Sequence, residues 1–353
     1  MKMEDIAKLA GVSKAAVSLA LNGKQGISAE TREKIIQIAE EHGYTHKSRA
    51  AADEPNNKSL TFLAIANSGI VLEQYYQQPF FRELIHHIEE RCRYYGYSLM
   101  FASVEPDRFA EQLKMLSEEK RSDGIILLGT NLSREQMSAI AGEVNLPLVV
   151  LDNCYETLPL HFVSINNRLG AYQAGIHLCD SGHRSIGYLA SNVRIKNFDD
   201  RRIGFETALR DRGLDPGNVR VFSVAPTILS SQESLTRQLT AYMEDKMPLP
   251  TAFFCECDYI AISAVKTLQE LGLRVPEDLS VVGFDDISEA RIVSPELTTV
   301  QVAKERMAHQ AVDLVIQSVT SSETVTSKVM IDTLLVQRKS TASPSAVLYH
   351  ETQ

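Results

Sequence analysis

Two kinds of hydrophobic pattern divide this chain near residue 59. Over residues 1–45, apolar positions at helical spacing predict three short helices, at about 3–9, 14–21 and 28–42. A Gly-Val-Ser turn separates the first two helices, and Ser13 is a good N-cap for the second. Their inward-facing positions predict one small core made of Ile6, Leu9, Val17, Leu21, Ile35 and Ile36.

A polar linker at 46–59 precedes a different pattern, in which short apolar runs alternate with amphipathic segments. Such alternation of strand and helix predicts parallel sheets joined by right-handed crossovers. About ten strands over about 280 residues fit two sheets better than one, and ligands of such folds lie at the carboxyl ends of strands. The clearest predicted strands are 60–66, 97–103, 124–129, 146–152, 185–191, 252–256 and 280–286.

Composition is that of an ordinary globular protein, with 44% hydrophobic and 23% charged residues. No apolar run approaches a membrane span, and the first residues lack a secretory signal pattern, so we expect a cytoplasmic protein without a membrane partner. The net charge of −9 argues against a nucleic-acid partner, but it is unevenly distributed. Residues 1–51 carry +2 and the remaining residues −11, which indicates a weakly basic head on an acidic body.

The sequence lacks the usual signs of catalysis or metal binding. Its five cysteines are dispersed, and Cys255 and Cys257 do not have a zinc-ligand spacing, so we expect reduced thiols in the core. The chain contains no glycine-rich phosphate loop, HExxH, GxSxG or paired CxxC motif. We therefore predict no enzymatic activity, no cofactor and no metal.

Several motifs resemble those of one protein family. The segment "EDIAKLAGVSKAAVSLALNGKQGISAETREKIIQIAEEHGY" resembles the DNA-binding domain of the LacI/GalR family of bacterial transcriptional regulators. Downstream, "SDGIILLGT", "LPLVVLDN", "RRIGFETAL" and "GLRVPEDLSVVGFDDI" are similar to family landmarks and follow in the same order. The resemblance extends to about Thr341.

This resemblance implies a fold with two parts. The first is an N-terminal all-α helix-turn-helix DNA-binding domain at 1–45, followed by a hinge or linker at 46–59. The second is an α/β two-lobed, periplasmic-binding-protein-like (type I) effector-binding and dimerisation domain at 60–341, with a flexible tail at 342–353. We expect lobe 1 to comprise about 60–158 and 289–322, and lobe 2 about 159–288 and 323–341.

The function that the resemblance implies is sequence-specific transcriptional regulation. We expect a repressor that binds an inverted-repeat operator in double-stranded DNA as a homodimer. A small-molecule effector, a carbohydrate or derivative, would bind between the lobes and control DNA binding allosterically. Two alternatives stay open: a corepressor-dependent regulator, and a cytoplasmic small-molecule sensor with weak DNA binding.

The second helix of a helix-turn-helix enters the major groove, where base edges differ. The resemblance therefore implies base contacts from this helix and phosphate contacts from its neighbours. The predicted DNA-binding residues are Ser13, Lys14, Ala15, Ala16, Ser18, Leu19, Asn22, Lys24, Thr31, Lys47 and Arg49.

The resemblance also implies an effector site. Arg201 has the family's spacing to Gly204 for an arginine that grips effector hydroxyls or carboxylates, and Asp285 ends an apolar strand where an acceptor for hydroxyls belongs. Phe80 is the predicted aromatic wall. The predicted effector-binding residues are Asn67, Ser68, Phe80, Asp152, Arg201, Cys257, Asp258 and Asp285.

Two departures from the family pattern affect DNA binding. Leu19 replaces a polar residue, and a leucine can contact a thymine methyl but cannot donate to guanine. In the linker, His46 replaces a proline, and Asp53 lies where the family has a leucine that wedges into the minor groove. Phosphates repel an aspartate, so we expect a weaker kink and tighter operator binding after Asp53→Leu.

Overall fold

The structure, a computed structural model, describes residues 3–21, 26–42, 58–66, 69–105, 122–321 and 325–344. The chain divides into two units, Met1–Asn57 and Lys58–Gln353, called the head and the body below. Most of the predicted linker, with His46 and Asp53, lies outside the described residues. No helix in the described ranges has the length and apolar character needed to cross a membrane.

The head contains the three predicted helices, α1 (Met3–Ala10), α2 (Lys14–Leu21) and α3 (Ala29–Glu41). Their core differs from the sequence prediction, because alanines supply four of its seven buried residues. Leu9 is 52% and Ile36 37% exposed, so these two core predictions are wrong. The buried residues are Ile6, Ala7, Ala10, Val17, Ala20, Ile35 and Ala39.

The body alternates strands and helices, numbered here in chain order through its described residues. The strands are β1 (Ser59–Ile65), β2 (Ser98–Val104), β3 (Gly124–Leu128), β4 (Leu148–Leu151), β5 (His161–Ile165), β6 (Ile186–Ser191), β7 (Arg220–Val224), β8 (Ala252–Cys255), β9 (Ser280–Asp285), β10 (Thr298–Gln301), β11 (Lys328–Ile331) and β12 (Leu334–Val336). The helices are α4 (Pro79–Tyr94), α5 (Arg134–Glu143), α6 (Asn167–Asp180), α7 (Lys196–Asp211), α8 (Ile228–Glu244), α9 (Asp258–Glu270) and α10 (Lys304–Thr320).

These strands form two six-stranded sheets, in the orders β11-β5-β4-β3-β1-β2 and β12-β10-β9-β8-β6-β7. The two-sheet prediction is confirmed. Pairing is parallel except between β10 and β12, which are antiparallel. The exception arises because β10 leads out of the second sheet toward the first, whereas β12 enters the second sheet from the first.

The chain passes between the sheets three times, at 166, 302–303 and 332–333. Among the described residues, lobe 1 therefore comprises 58–66, 69–105 and 122–165 with α10 and β11, and lobe 2 comprises 167–301 with β12. This corrects the predicted lobe boundaries: β5 and β11 belong to lobe 1, and β10 belongs to lobe 2. The chain crosses after each of these strands rather than before it, and hydrophobic periodicity does not show which sheet a strand joins.

Close helix packing positions the start of α7 in lobe 2. A Cβ atom at Gly204 would overlap the backbone carbonyl of Arg168 in α6. Only glycine therefore lets α6 and α7 approach to this distance. As a result Arg201, one turn before Gly204, is carried into the interior beside β9, where only 3% of its surface is exposed.

Candidate functional site

The carboxyl ends of strands from both lobes meet around one cavity. Asp152 directly follows β4 of lobe 1, and Asp285 is the last residue of β9 in lobe 2. Their φ angles are 68° and 115°, so the backbone turns sharply where each strand ends. The unfilled space of the cavity, counted together with its opening to solvent, is about 460 Å³. The cavity is lined by Ile70, Gln78, Phe80, Phe81, Thr130, Asp152, Ile195, Asn197, Phe198, Arg201, Pro226, Cys257, Tyr259 and Asp285.

Arg201 is held in one orientation by three acceptors. Its Nε donates to Asn167 Oδ1 at 2.9 Å, and its Nη1 to the Glu256 carbonyl at 2.5 Å. Its Nη2 donates to Asp285 Oδ1 at 2.9 Å, in a buried ion pair. The guanidinium also lies 3.7 Å from the centre of the Phe284 ring. A guanidinium has five N–H donors, so two remain available for a ligand.

Asp152 is a second buried carboxylate in this cavity. Thr130 Oγ1 donates to its Oδ2 at 2.5 Å, and Asn197 Nδ2 donates to its Oδ1 at 3.1 Å. Burial raises the pKa of Asp152 to about 6; the Thr130 hydrogen bond and Arg201 oppose this rise, whereas Asp285 adds to it. Asp152 is therefore an acceptor whose charge depends on pH near neutrality.

Burial also raises the pKa of Asp285, against the lowering effects of Arg201 and Lys304. The cavity thus contains two carboxyl groups and one guanidinium. Two acceptors and a planar donor in a buried space suit a ligand with several hydroxyl groups, since each hydroxyl both donates and accepts.

Aromatic side chains form the apolar wall of the cavity. Phe80 and Phe81 come from the first turn of α4 in lobe 1, and their rings pack edge to face at 5.5 Å. Phe198 and Tyr259 come from lobe 2, and the Tyr259 hydroxyl accepts a hydrogen bond from the Phe80 amide at 3.1 Å. Apolar walls with a few convergent polar groups are typical of small-molecule sites.

In the head, the first turn of α2 combines a helix cap with exposed positions. Ser13 Oγ accepts from the Ala16 amide at 3.1 Å, which confirms the predicted N-cap. Lys14 is exposed and pairs with Glu4 at 2.7 Å, and Ala15 is also exposed. Ser18 and Leu19 are half-buried further along the helix.

The comparisons with known proteins agree with both parts of this geometry. Residues 2–46 match the family described as "Bacterial regulatory proteins, lacI family", and residues 176–341 match "Periplasmic binding protein-like domain". The HTH-type transcriptional repressor PurR of Haemophilus influenzae strain PittEE is 30% identical over 346 residues, covering 97% of this chain and 98% of that protein. This chain belongs to the LacI family of bacterial regulatory proteins. It is a DNA-binding transcriptional repressor regulated by a small-molecule effector.

Other relatives and solved structures of the LacI family agree. The PurR repressor of Mannheimia succiniciproducens is 29% identical over 340 residues, covering 96% of this chain and 98% of that protein. A structure described as "transcriptional regulator CelR-cellobiose complex" has a TM-score of 0.69 at 25% identity, covering 96% of this chain and 99% of that chain. The lac repressor dimer bound to operator and the anti-inducer ONPF has a TM-score of 0.67 at 24% identity, covering 97% of this chain and 99% of that chain. It shows the same fold.

The structure brings together most of the effector-site residues that the sequence of this LacI-family protein predicts. Asn67 and Ser68 lie outside the described residues. The predicted residues that line the cavity are Phe80, Asp152, Arg201, Cys257 and Asp285.

Asp258 lies outside the cavity and is a correction to the predicted set. Its Oδ1 accepts from the Thr299 hydroxyl at 2.6 Å, and its Oδ2 from the Ile287 amide at 3.0 Å. It begins α9, and its side chain turns inward against Gly283, where a Cβ atom would collide with it. Asp258 therefore fixes the packing of α9 on β9 and β10.

Several lining residues were missed by the sequence analysis. Asn197 and Phe198 precede Arg201 by four and three residues on the same helix, so helical spacing could have found them. Tyr259 and Thr130 have no such spacing signal, because their roles depend on contacts with Phe80 and Asp152 across the fold.

Among the predicted DNA-binding residues, most of those described lie at or near the start of α2. Ser13, Lys14 and Ala15 are exposed, whereas Ala16 is half-buried. Thr31 lies in the first turn of α3, where its amide donates to Ser28 Oγ at 3.2 Å. The remaining predicted residues, Asn22, Lys24, Lys47 and Arg49, lie outside the described residues.

Proposed function

We propose that this LacI-family repressor binds an inverted-repeat operator as a homodimer and that a carbohydrate or carbohydrate derivative in the interlobe cavity controls its affinity for DNA. The effector would bind one arrangement of the lobes better than another and so shift the population of DNA-binding states. The protein acts by binding rather than by catalysis, in the cytoplasm.

The observation that supports this proposal most directly is the buried Arg201–Asp285 pair in an aromatic cavity. Its guanidinium donors and the Asp152 and Asp285 carboxylates match the hydroxyl pattern of a sugar ring. Phe80 and Phe198 supply apolar surface suited to the C–H face of such a ring. The proposed effector-binding residues are Phe80, Phe81, Thr130, Asp152, Asn197, Phe198, Arg201, Cys257, Tyr259 and Asp285.

Solved structures of similar proteins support a carbohydrate. One is described as a complex of a regulator with cellobiose. Another, from Enterococcus faecium, contains bound ribose; it has a TM-score of 0.69 at 22% identity and covers 82% of this chain and all of that chain.

For the head, we propose that the start of α2 contacts base edges. Lys14 supplies a donor and a charge, while Ala15 and Leu19 offer apolar contact with a thymine methyl. Ser13 and Thr31, at the starts of α2 and α3, would contact phosphates. We propose residues 1–45 as the DNA-binding domain, 46–59 as the linker and 342–353 as the tail.

Selection of bound sequences from a random duplex pool, at two salt concentrations, tests the DNA-binding half of the proposal. We expect an enriched inverted repeat whose affinity falls steeply with salt. Failure to enrich any sequence, with or without sugars present, would contradict operator recognition by this chain.

The selected duplex then serves to test the effector. A panel of mono- and disaccharides is scored by the change in operator affinity, measured as fluorescence anisotropy of the labelled duplex. An active sugar should lose its effect in Arg201→Met and keep it in Arg202→Met, since Arg202 pairs at the surface with Glu206. A sugar effect that survives Arg201→Met would place the effector elsewhere.

A further inference from the structure

A buried lysine lies directly behind the candidate effector site. Lys304 is the first residue of α10, on the lobe 1 side of a crossing, and only 7% of its surface is exposed. Its Nζ donates to the carbonyl oxygens of Asp285 and Asp286 at 3.0 and 2.9 Å. Both acceptors belong to lobe 2, so these hydrogen bonds join the two lobes.

Glu83 of α4 completes this contact from lobe 1. Its Oε2 lies 3.0 Å from Lys304 Nζ, and its Oε1 accepts from the Ser288 amide of lobe 2 at 3.2 Å. Glu83 therefore neutralises the buried ammonium and also makes a lobe-to-lobe hydrogen bond of its own. Hydrogen bonds to charged groups are among the stronger ones in proteins.

The carbonyls that Lys304 holds belong to a constrained turn. Asp285 and Asp286 have φ angles of 115° and 47°, which non-glycine residues adopt at a cost. This turn points the Asp285 carboxylate at Arg201 inside the cavity. Lys304 thus stabilises the backbone shape that places one effector-site carboxylate, and Glu83 holds Lys304 in place.

We propose that Glu83 and Lys304 form a latch that keeps the two lobes closed over the cavity and positions Asp285 for the effector. The positioning of an effector rests on the function proposed above, whereas lobe closure does not. Glu83 and Lys304 are positioning residues, because neither lines the cavity itself.

A neighbouring pair provides a matched control. Arg82, next to Glu83 on α4, lies 3.7 Å from Glu289 of lobe 2, but 53% of its side chain is exposed. Exposed ion pairs contribute little because water screens them. If the latch acts through buried contacts, removing Arg82 should leave the lobes closed.

The alkylation rates of the native cysteine thiols measure lobe closure, and this measurement needs neither DNA nor effector. Cys257 lines the cavity and is 3% exposed, so alkylation by iodoacetamide requires the lobes to separate. Cys92 and Cys255 have no exposed surface and lie outside the cavity lining, so their alkylation reports unfolding of lobe 1 and lobe 2 respectively. Rates at each cysteine are measured by peptide mass spectrometry on the full-length chain.

We expect Lys304→Met and Glu83→Ala each to raise the Cys257 alkylation rate about tenfold, with Cys92 and Cys255 unchanged. Glu83→Gln, which keeps an acceptor for Ser288, should give a smaller rise, and Arg82→Ala less than about twofold. An unchanged Cys257 rate in both principal variants would overturn the latch. An equal rise at all three thiols would also overturn it, because the contact would then stabilise the fold rather than closure.

This experiment is independent of the proposed function. A failure to find an operator or a sugar effector would leave the thiol result unaffected, and an inert latch would leave operator selection unaffected.

Discussion

The head and the candidate effector cavity place their charged side chains in opposite environments. In the head, Lys14 and Ala15 are exposed on a helix whose inner face packs through Val17 and Ala20. In the cavity, Arg201, Asp152 and Asp285 are buried and depend on one another. Removal of one exposed side chain in the head should therefore remove only the contact made by that side chain. Removal of one charged side chain in the cavity leaves the remaining buried charges without a partner, and this should lower the stability of the body.

Removal of Arg201 should have the largest effect. Arg201→Ala leaves the Asp285 carboxylate buried without its partner, and we expect the free energy of unfolding of the body to fall by about 3 to 5 kcal/mol. Urea denaturation followed by circular dichroism measures this change. Arg202→Ala removes an exposed pair with Glu206 and a contact at 5.9 Å with the Tyr188 ring, and it should cost less than about 1 kcal/mol. Equal losses in both variants would contradict the contrast between buried and exposed charges.

A substitution in the core of the head should have the next largest effect on stability. Ile6 is fully buried, and Ile6→Ala should cost about 2 to 5 kcal/mol. So small a unit would then unfold, and operator affinity would disappear while the body keeps its melting temperature. Leu9→Ala is the matched control, because Leu9 is 52% exposed and its truncation should leave DNA binding intact. Loss of binding in Leu9→Ala would indicate a DNA-facing role for that residue.

The cavity should also give the body a pH-dependent stability. The pKa of Asp152 is about 6 in the fold, against 3.8 ordinarily, because burial disfavours the charged form. The stability that Asp152 contributes is therefore complete below about pH 4 and is lost as the pH rises to about 6. Relative to the wild type, Asp152→Asn should gain about 2 to 3 kcal/mol between pH 4 and 7, measured by urea denaturation.

Asp180→Asn is the control for this pH series. Asp180 is exposed, and its hydrogen bond with Arg212 lowers its pKa, so its replacement should give no such gain. Parallel curves for the wild type and Asp152→Asn would show that Asp152 is not the titrating group.

The smallest expected effect is at the surface of the head. Lys14→Ala should weaken operator binding by about 1 kcal/mol and, if it contacts a phosphate, reduce the slope of log affinity against log salt by about 1. Glu4→Gln should act in the opposite direction, because it releases Lys14 from a 2.7 Å ion pair. Fluorescence anisotropy across a salt series measures both. A stronger loss in Glu4→Gln than in Lys14→Ala would contradict a DNA-facing role for Lys14.

The sequence was sufficient to predict features that depend on residues close together in the chain. The three head helices and the Ser13 cap follow from spacing alone. Asp152 and Asp285 were predicted to lie at strand ends, and both line the cavity because the strand ends of parallel sheets meet at one edge. In both cases a rule that spans only a few residues fixes the position of the side chain.

The sequence did not predict the position of side chains that depend on tertiary contacts. Asp258 follows a cavity residue directly, yet its carboxylate is bound by Thr299 and Ile287. Thr130 and Tyr259 gain their roles from partners distant in sequence. The strands β5, β10 and β11 have only four or five residues each, and their hydrophobic pattern does not show which sheet they join, so the lobe boundaries were misplaced.

The two edge strands β11 and β12 also determine when each part of the protein can form during synthesis. They close one sheet each, and both lie beyond residue 327. A ribosome therefore releases the whole head long before either lobe is complete, and domains generally fold in the order in which they emerge. A stop codon or frameshift just upstream of residue 328 would damage both lobes at once while leaving the head intact, so such mutations would remove control by the effector together with the part of the chain expected to dimerise.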